Sequence, residues 1–371
     1  MNKIVGQPQT IKKLNEDIIK NIIETHGAIT KPEIAHITNL SLATVNKTVE
    51  SLLRKNVIKV SGISNSTGGR RAQLFEIDGD KSFVIVLYYY NNTYLGAVSN
   101  IIGKIKYRKE FNVRTENYEE VMEDTYNAID ALISHCKGRE IKAIGIGVPG
   151  VVNNGMVSNI PNIPGWEGKN LKEILEKKYK YDIYLENDVN LTSMGIYYSK
   201  YKNNYKNMVL VYIGDGIGSG IIINKELFKG STNFAGELSY LPTKSYFNNN
   251  KKTKYKGNFE NNISILKDLI KENTTEKMEL ENALINTIAD GLVDIICILN
   301  PELIVIQSKD LDDNDIEKIK NAVSKNIDEK NIPQIIKLYE EKEENINGVV
   351  SMCLRECISE YSVSTKRGGV V

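Results

Sequence analysis

The sequence predicts an α/β protein in which a small winged helix-turn-helix precedes a two-lobed body. Three observations predict it: a basic N-terminal segment, a helix, short helix, helix and hairpin in that order within it, and a change to alternating strands and helices from Ser82 onward. Residues 1–71 carry eleven Lys/Arg against five Asp/Glu, a net +6 in a 371-residue chain of net +1. A basic head on a slightly acidic body fits a polyanion-binding module joined to something that is not one.

A chain of this length exceeds one ordinary core. The expected divisions are 1–78 for the winged helix, 79–192 for a first lobe and 193–371 for a second, with a C-terminal helix able to pack back on the first. No run approaches the roughly 18 uninterrupted apolar residues of a membrane span, and the opening MNKIVGQPQT lacks the apolar core of a secretory signal, so the expectation is a cytoplasmic protein with no membrane partner. Cys136, Cys297, Cys353 and Cys357 are dispersed without a CxxC pair, which suggests neither a disulfide framework nor a thiolate metal site.

In the head, Ile11, Leu14, Ile18, Ile19, Ile22 and Ile23 are spaced for one helical face, and Gly27 supplies the stop. Thr30-Lys31-Pro32-Glu33 is a capping-box pattern with Pro near the first helical position, where its missing N–H costs nothing. It opens a short helix running through Ile37. After the turn Thr38-Asn39-Leu40, Ser41 can cap a third helix whose buried stripe is Val45, Val49, Leu52 and Leu53. Leu42, Thr44, Asn46, Lys47, Glu50 and Ser51 are left for its outer face. In a helix-turn-helix the last helix enters the major groove N-terminus first, which makes Leu42, Thr44, Asn46 and Lys47 candidates for base or phosphate contact. Residues 57–60 and 72–77 read as strands of a hairpin wing. Its tip, Gly68-Gly69-Arg70-Arg71, pairs glycines that allow close approach with arginines that can neutralise phosphates or enter a narrow minor groove.

The body begins with paired strands at 82–87 and 93–99, a helix at 118–136 and a buried strand at 141–148. Strands at 183–185, 208–213 and 217–223 follow, then helices after Leu280 and a strand at 303–306. Five motifs punctuate them: Gly145-Ile146-Gly147-Val148-Pro149-Gly150, Pro161-Asn162-Ile163-Pro164-Gly165-Trp166, Glu186-Asn187-Asp188-Val189-Asn190, Gly214-Asp215-Gly216-Ile217-Gly218-Ser219-Gly220 and Ala235-Gly236-Glu237. In this order, behind a winged helix, they make the chain resemble the ROK family of repressors, open reading frames and kinases over essentially its whole length. The resemblance implies an actin-like, hexokinase-like (ribonuclease H-like) fold with a sugar between the lobes. It places Asn162, Asn187, Asp188, Glu237 and Glu260 around the sugar hydroxyls, where amides and carboxylates discriminate stereoisomers. In kinases of the family, the residue matching Asp188 takes the proton of the attacking hydroxyl.

The nucleotide motifs depart from that pattern. The family's DxGxT segment corresponds to Leu87-Tyr88-Tyr89-Tyr90-Asn91-Asn92-Thr93, with no carboxylate from Val84 to Gly96. Asp215 stands where the family has Thr, and a carboxylate about 4 Å from a phosphate is repelled by on the order of 4 kcal/mol at an effective dielectric of about 20. A glycine pair after the late strand is replaced by Gln307-Ser308. The family's zinc His is Tyr240, and residues 251–260 contain no cysteine. The resulting expectation is no zinc, no ATP and no catalytic residue, with Asp188 a vestigial base and Tyr240 and Phe259 packing to position Glu237 and Glu260.

Together these residues predict a homodimeric repressor of carbohydrate-use genes that binds a double-stranded operator and responds to a sugar or sugar derivative. Two alternatives stay open: an active sugar kinase with a DNA-binding head, and a DNA-binding regulator whose body contacts a protein partner.

Overall fold

The computed structural model describes residues 8–64, 71–158, 163–166, 168–214, 216–243, 257–272, 276–339 and 342–367. In the head, α1 (Pro8–His26), α2 (Lys31–Thr38) and α3 (Leu42–Arg54) pack on a sheet of order β1-β3-β2, made of β1 (Ile29–Thr30), β2 (Ile58–Ile63) and β3 (Gln73–Ile77). Ile19, Ile23, Ile34, Val45, Val49, Leu52, Ile58 and Phe75 form its core.

Two expectations are corrected here. The six apolar residues of α1 do not share one buried face: Ile19 and Ile23 are buried, Ile18 and Ile22 partly so, and Ile11 and Leu14 exposed. Six isoleucines and leucines within thirteen positions cover more of the cylinder than one partner can bury. Ser51 faces inward rather than outward. Its hydroxyl donates to Glu16 Oε1 at 2.7 Å, and Lys55 Nζ lies 2.6 Å from Glu16 Oε2, which fastens α1 to α3.

The first lobe is a sheet of order β10-β7-β4-β5-β6: β4 (Ser82–Tyr90), β5 (Thr93–Asn100), β6 (Ile105–Asn112), β7 (Glu140–Val148) and β10 (Asp182–Asn187). The helices α4 (Tyr118–His135) and α5 (Leu171–Tyr179) belong to it, with the small hairpin β8 (Val151–Asn153) and β9 (Met156–Ser158). The second lobe has order β13-β12-β11-β14-β15: β11 (Met208–Ile213), β12 (Ile217–Ile223), β13 (Glu226–Leu227), β14 (Leu303–Gln307) and β15 (Gln334–Leu338). It carries α7 (Asn258–Glu272), α8 (Lys277–Leu299) and α9 (Asp313–Ser324). Among the described residues α8 alone is long and apolar enough to cross a membrane, yet Ile285, Ile288, Leu292 and Ile296 lie in the second lobe's core.

Between the lobes, α6 (Asp188–Ile196) and α10 (Lys342–Arg367) share a third core with both sheets, including Val84, Leu191, Leu210, Val305, Val349 and Cys353. The two helices approach with glycine at the crossing. A Cβ on Gly195 would collide with the Glu344 carbonyl, and one on Gly348 with the Leu191 carbonyl. Residues 192 and 193, where the sequence reading divides the lobes, lie inside α6.

The joint between head and body is short. β3 ends at Ile77, a single turn spans Gly79–Lys81, and β4 starts at Ser82. The turn is docked into the β5–β6 connection: Ile101 N–H donates to the Gly79 carbonyl at 3.3 Å, and Asn100 Nδ2 to Asp80 Oδ1 at 2.7 Å. Lys106 Nζ sits 2.6 Å from Asp80, and this ammonium partner holds the carboxyl below its usual range. Gly79 is buried where a Cβ would strike Ile102 and Asn100.

Candidate functional site

The head builds its outward surface by capping. Thr30 closes a capping box with Glu33, its N–H donating to Glu33 Oε2 at 2.8 Å. α2 then stops at Asn39, whose φ of 55° turns the chain sharply. Ser41 Oγ accepts from Thr44 N–H at 3.1 Å, starting α3 two residues later. With Val45, Val49 and Leu52 buried, Leu42, Ala43, Lys47, Glu50 and Arg54 are exposed. Thr44 and Asn46 are half-buried, and the Thr44 hydroxyl lies 2.8 Å from that of Ser41. Leu42 and Lys47 are thus exposed on the outer face, Thr44 is bound into the cap, and Ala43, which the sequence reading does not name, is exposed beside Leu42. β2 and β3 pair from Ile58↔Ile77 to Ile63↔Gln73, and Ser64 N–H donates to the Ala72 carbonyl at 2.8 Å. Arg71 is exposed at the hairpin, whereas Gly68, Gly69 and Arg70 lie outside the described residues.

In the body, the N-terminus of α6 brings the predicted residues to the inter-lobe cleft. Asn187 is its cap: Oδ1 accepts from Asn190 N–H at 3.0 Å and Nδ2 donates to the Gly150 carbonyl at 2.9 Å. Asp188 begins the helix, with Oδ1 accepting from Val189 N–H at 2.8 Å. Burial pushes its pKa up to about 7, against the stabilising backbone N–H groups, and the neighbouring Glu237 carboxylate adds to the rise. Burial likewise raises Glu237.

Glu237 and Glu260 reach the cleft from the second lobe. Glu237 follows Gly236, whose φ of +98° lets the turn lie against the Ser219 carbonyl and Ser219 N–H donate to Gly236 O at 2.8 Å. Glu260, in the first turn of α7, accepts from Ile217 N–H at 3.2 Å and so touches the Gly-rich connection between β11 and β12. Gly218 in turn packs on Val189, next to Asp188. The structure thus brings Asn187, Asp188 and Glu237 together and links Glu260 to them through the Gly-rich connection, while Asn162 and Asp215 lie outside the described residues.

Residues not nominated by the sequence complete this region. Glu186 is buried, accepting from Asn187 N–H and Asn190 Nδ2, both at 3.0 Å. Lys229 of the second lobe reaches it at 3.0 Å, and Asn233 Nδ2 donates to the Val152 carbonyl at 2.7 Å. The 228–237 loop therefore crosses from one lobe to the other. Glu186 belongs to a motif the sequence displays, but nothing in it announces Lys229 as its partner.

In the segment corresponding to the family's first phosphate motif, Tyr88 is buried against Gly147, with its hydroxyl 2.9 Å from Thr192 Oγ1 and 3.3 Å from the Asp188 carbonyl. Gln307 is buried with neither amide atom partnered among the described residues. Where the family resemblance implies zinc ligands, this sequence has Tyr240 and a cysteine-free stretch at 251–260. Tyr240 is exposed with its ring 5.2 Å from Phe234, Phe259 is buried against Gly291 of α8, and Gly257 is pressed on the Ser239 carbonyl. Phe259 anchors α7 against α8, and Tyr240 packs on Phe234. No group of three His, Cys, Asp or Glu suited to a metal occurs among the described residues.

A capped, outward-facing helix beside a hairpin, set on two lobes around a carboxylate-lined cleft, defines a DNA-binding head on a sugar-kinase-type fold. The winged helix-turn-helix DNA-binding model matches residues 12–59 and the ROK family model residues 93–254, so the chain carries a ROK family domain behind a winged helix-turn-helix. The xylose repressor of Caldicellulosiruptor bescii is 25% identical over 241 residues, 64% of this chain and 60% of that protein. A relative in Caldicellulosiruptor sp. (strain Rt8B.4) is 26% identical over 342 residues, 82% of this chain and 85% of that protein. Among solved structures, a ROK family transcriptional regulator, homolog of the E. coli MLC protein, aligns with TM-score 0.67 and 16% identity over 94% of this chain and 97% of that one. The ROK hexokinase of Thermus thermophilus aligns with TM-score 0.62 and 17% identity over 75% of this chain and 99% of that one. The fold is the winged helix plus actin-like, hexokinase-like body.

Proposed function

We propose that the chain is a sequence-specific DNA-binding transcriptional repressor of carbohydrate-use genes, governed by a sugar or sugar derivative held in the cleft. The observation that carries this reading is the union, in one chain, of an outward-facing helix and an inter-lobe site where Asp188 and Glu237 are neighbours, with Glu260 holding the Gly-rich connection beside them. The relatives' designation as repressors supports it.

In this reading Asp188 and Glu237 hydrogen-bond effector hydroxyls, and Glu260 joins them from α7. Glu237 sits on the loop that Lys229 and Asn233 tie to the first lobe, so an occupant held by both lobes favours one relative placement of the two. The docked turn Gly79–Lys81 passes that placement to the head. The effector shifts DNA binding only by its difference in affinity for the two placements. Two copies acting on a palindromic operator match the two-fold logic of helix-turn-helix readers.

The protein works without zinc and without phosphoryl transfer. Support comes from the lack of a carboxylate between Val84 and Gly96 and from Tyr88 hydrogen-bonded across that edge to α6. Its place of action is the cytoplasm, where its operator is.

The test is binding-site selection with the purified chain, repeated with hexoses, pentoses and N-acetyl amino sugars. A selected duplex whose affinity changes with one sugar is the expected result; indifference to DNA of every sequence at low salt refutes the reading. Coupled ADP release with the same sugars should stay at background, and turnover would make the chain a kinase.

A further inference from the structure

We infer that the first turn of α3 recognises the C5-methyl groups of thymine through Leu42 and Ala43. The inference rests on the repressor reading and specifies what the head reads.

Leu42 and Ala43 occupy the first two positions of α3 and both are exposed, Leu42 at 49%. Neither serves the head's core, which α3 supplies through Val45, Val49 and Leu52. The hydroxyls beside them are already engaged. Ser41 Oγ takes the Thr44 N–H, the Ser41 and Thr44 hydroxyls bond each other, and Asn46 is half-buried. The leading edge of the helix is thus an isobutyl group beside a methyl, with the Lys47 ammonium one turn behind.

The leading residues of such a helix meet base edges in the major groove. There the one apolar feature of the four bases is the thymine methyl, and aliphatic side chains are its natural contacts. A cytosine amino group or a guanine O6 pressed against Leu42 would lose its water without gaining a hydrogen bond, which is unfavourable. Two adjacent aliphatic side chains therefore select A·T pairs where the helix tip meets the groove. Lys47 holds the backbone or a purine acceptor beside them.

The experiment uses the full chain and the duplex it selects. That duplex is resynthesised with deoxyuridine for thymidine at one half-site position at a time, which removes the methyl and keeps every hydrogen-bonding group. Binding should weaken about threefold to tenfold at one or two positions, the scale of one buried methyl. Leu42→Ser should bind the thymine duplex more weakly and lose its sensitivity to deoxyuridine at those positions, while Lys47→Ala keeps it. Melting curves verify that Leu42→Ser folds, and Ala43→Ser provides a second variant at the same edge. A duplex that tolerates deoxyuridine everywhere, or variants as methyl-sensitive as the parent, overturns this inference and leaves the repressor reading intact. Failure to select any sequence overturns that reading itself.

Discussion

Lys229 Nζ lies 3.0 Å from Glu186 Oε2, joining an exposed lysine of the second lobe to a buried carboxylate at the end of β10 in the first. Lys229→Met removes the cationic partner and leaves Glu186 its bonds from Asn187 and Asn190. Because the lysine is 43% exposed, solvent screens the pair, and the expected loss of stability is about 1 kcal/mol rather than that of a fully buried pair broken. Chemical denaturation measures this, and effector titration should show weaker binding because the loop bearing Glu237 is less held.

Asp188 carries a pH signature. Its folded pKa, about 7, lies above the ordinary aspartate value of 3.8, so between those values the folded state holds a proton that the unfolded state has lost. Stability from this group is greatest at low pH and declines as pH rises through that window. Asp188→Asn should flatten the slope of stability against pH from about 4 to 7. Effector affinity should also inflect near 7 in the parent, where Asp188 changes from donor to acceptor, and not in the variant. An unchanged profile would place the titrating group elsewhere.

Arg71, exposed beside the hairpin, should contribute charge to the duplex. Arg71→Ala is expected to weaken binding to all sequences alike and lower the salt slope by about one. Arg70→Ala should do the same. Affinity measured across a salt series decides; an unaltered slope means the wing is not used.

The Asp80–Asn100–Lys106 cluster holds the joint. Asn100→Ala removes the donor to Asp80 and the acceptor for Ile102 and Lys104 N–H groups. The expected outcome is near-normal affinity for sugar and for DNA measured separately, with the effect of one on the other reduced. Retained coupling would show that the message travels by another route.

Gly195→Ala should be costly. Its methyl meets backbone, the Glu344 carbonyl, which cannot rotate aside as a side chain can. A loss at or above the usual 1–3 kcal/mol of overpacking is expected, read as a lowered melting temperature.

The head was legible in the sequence because caps and turns are local: Thr30, Glu33, Asn39 and Ser41 each act within a few residues. The two-residue β1 gave no period to read. In the body, β4, β7, β11 and β14 announced themselves as apolar runs, as strands buried on both faces do. β6, Ile-Lys-Tyr-Arg-Lys-Glu-Phe-Asn, did not, since an edge strand protected by charge looks like a solvated loop. The cleft showed a similar division. Asp188, Glu237 and Glu260 came from motif order, whereas Lys229 and Asn233 depend on a contact across 43 and 81 residues of chain that no local pattern encodes.

The turn Gly79–Lys81 leaves the reader almost no slack. A head on a long flexible tether could follow a half-site moved along the duplex, but one pinned to the β5–β6 connection must find its target where the body places it. In a two-fold assembly the molecule would then work as a calliper, testing the gap between two short words as strictly as their spelling. Inserting half a helical turn of DNA between them should abolish recognition even though each word is untouched.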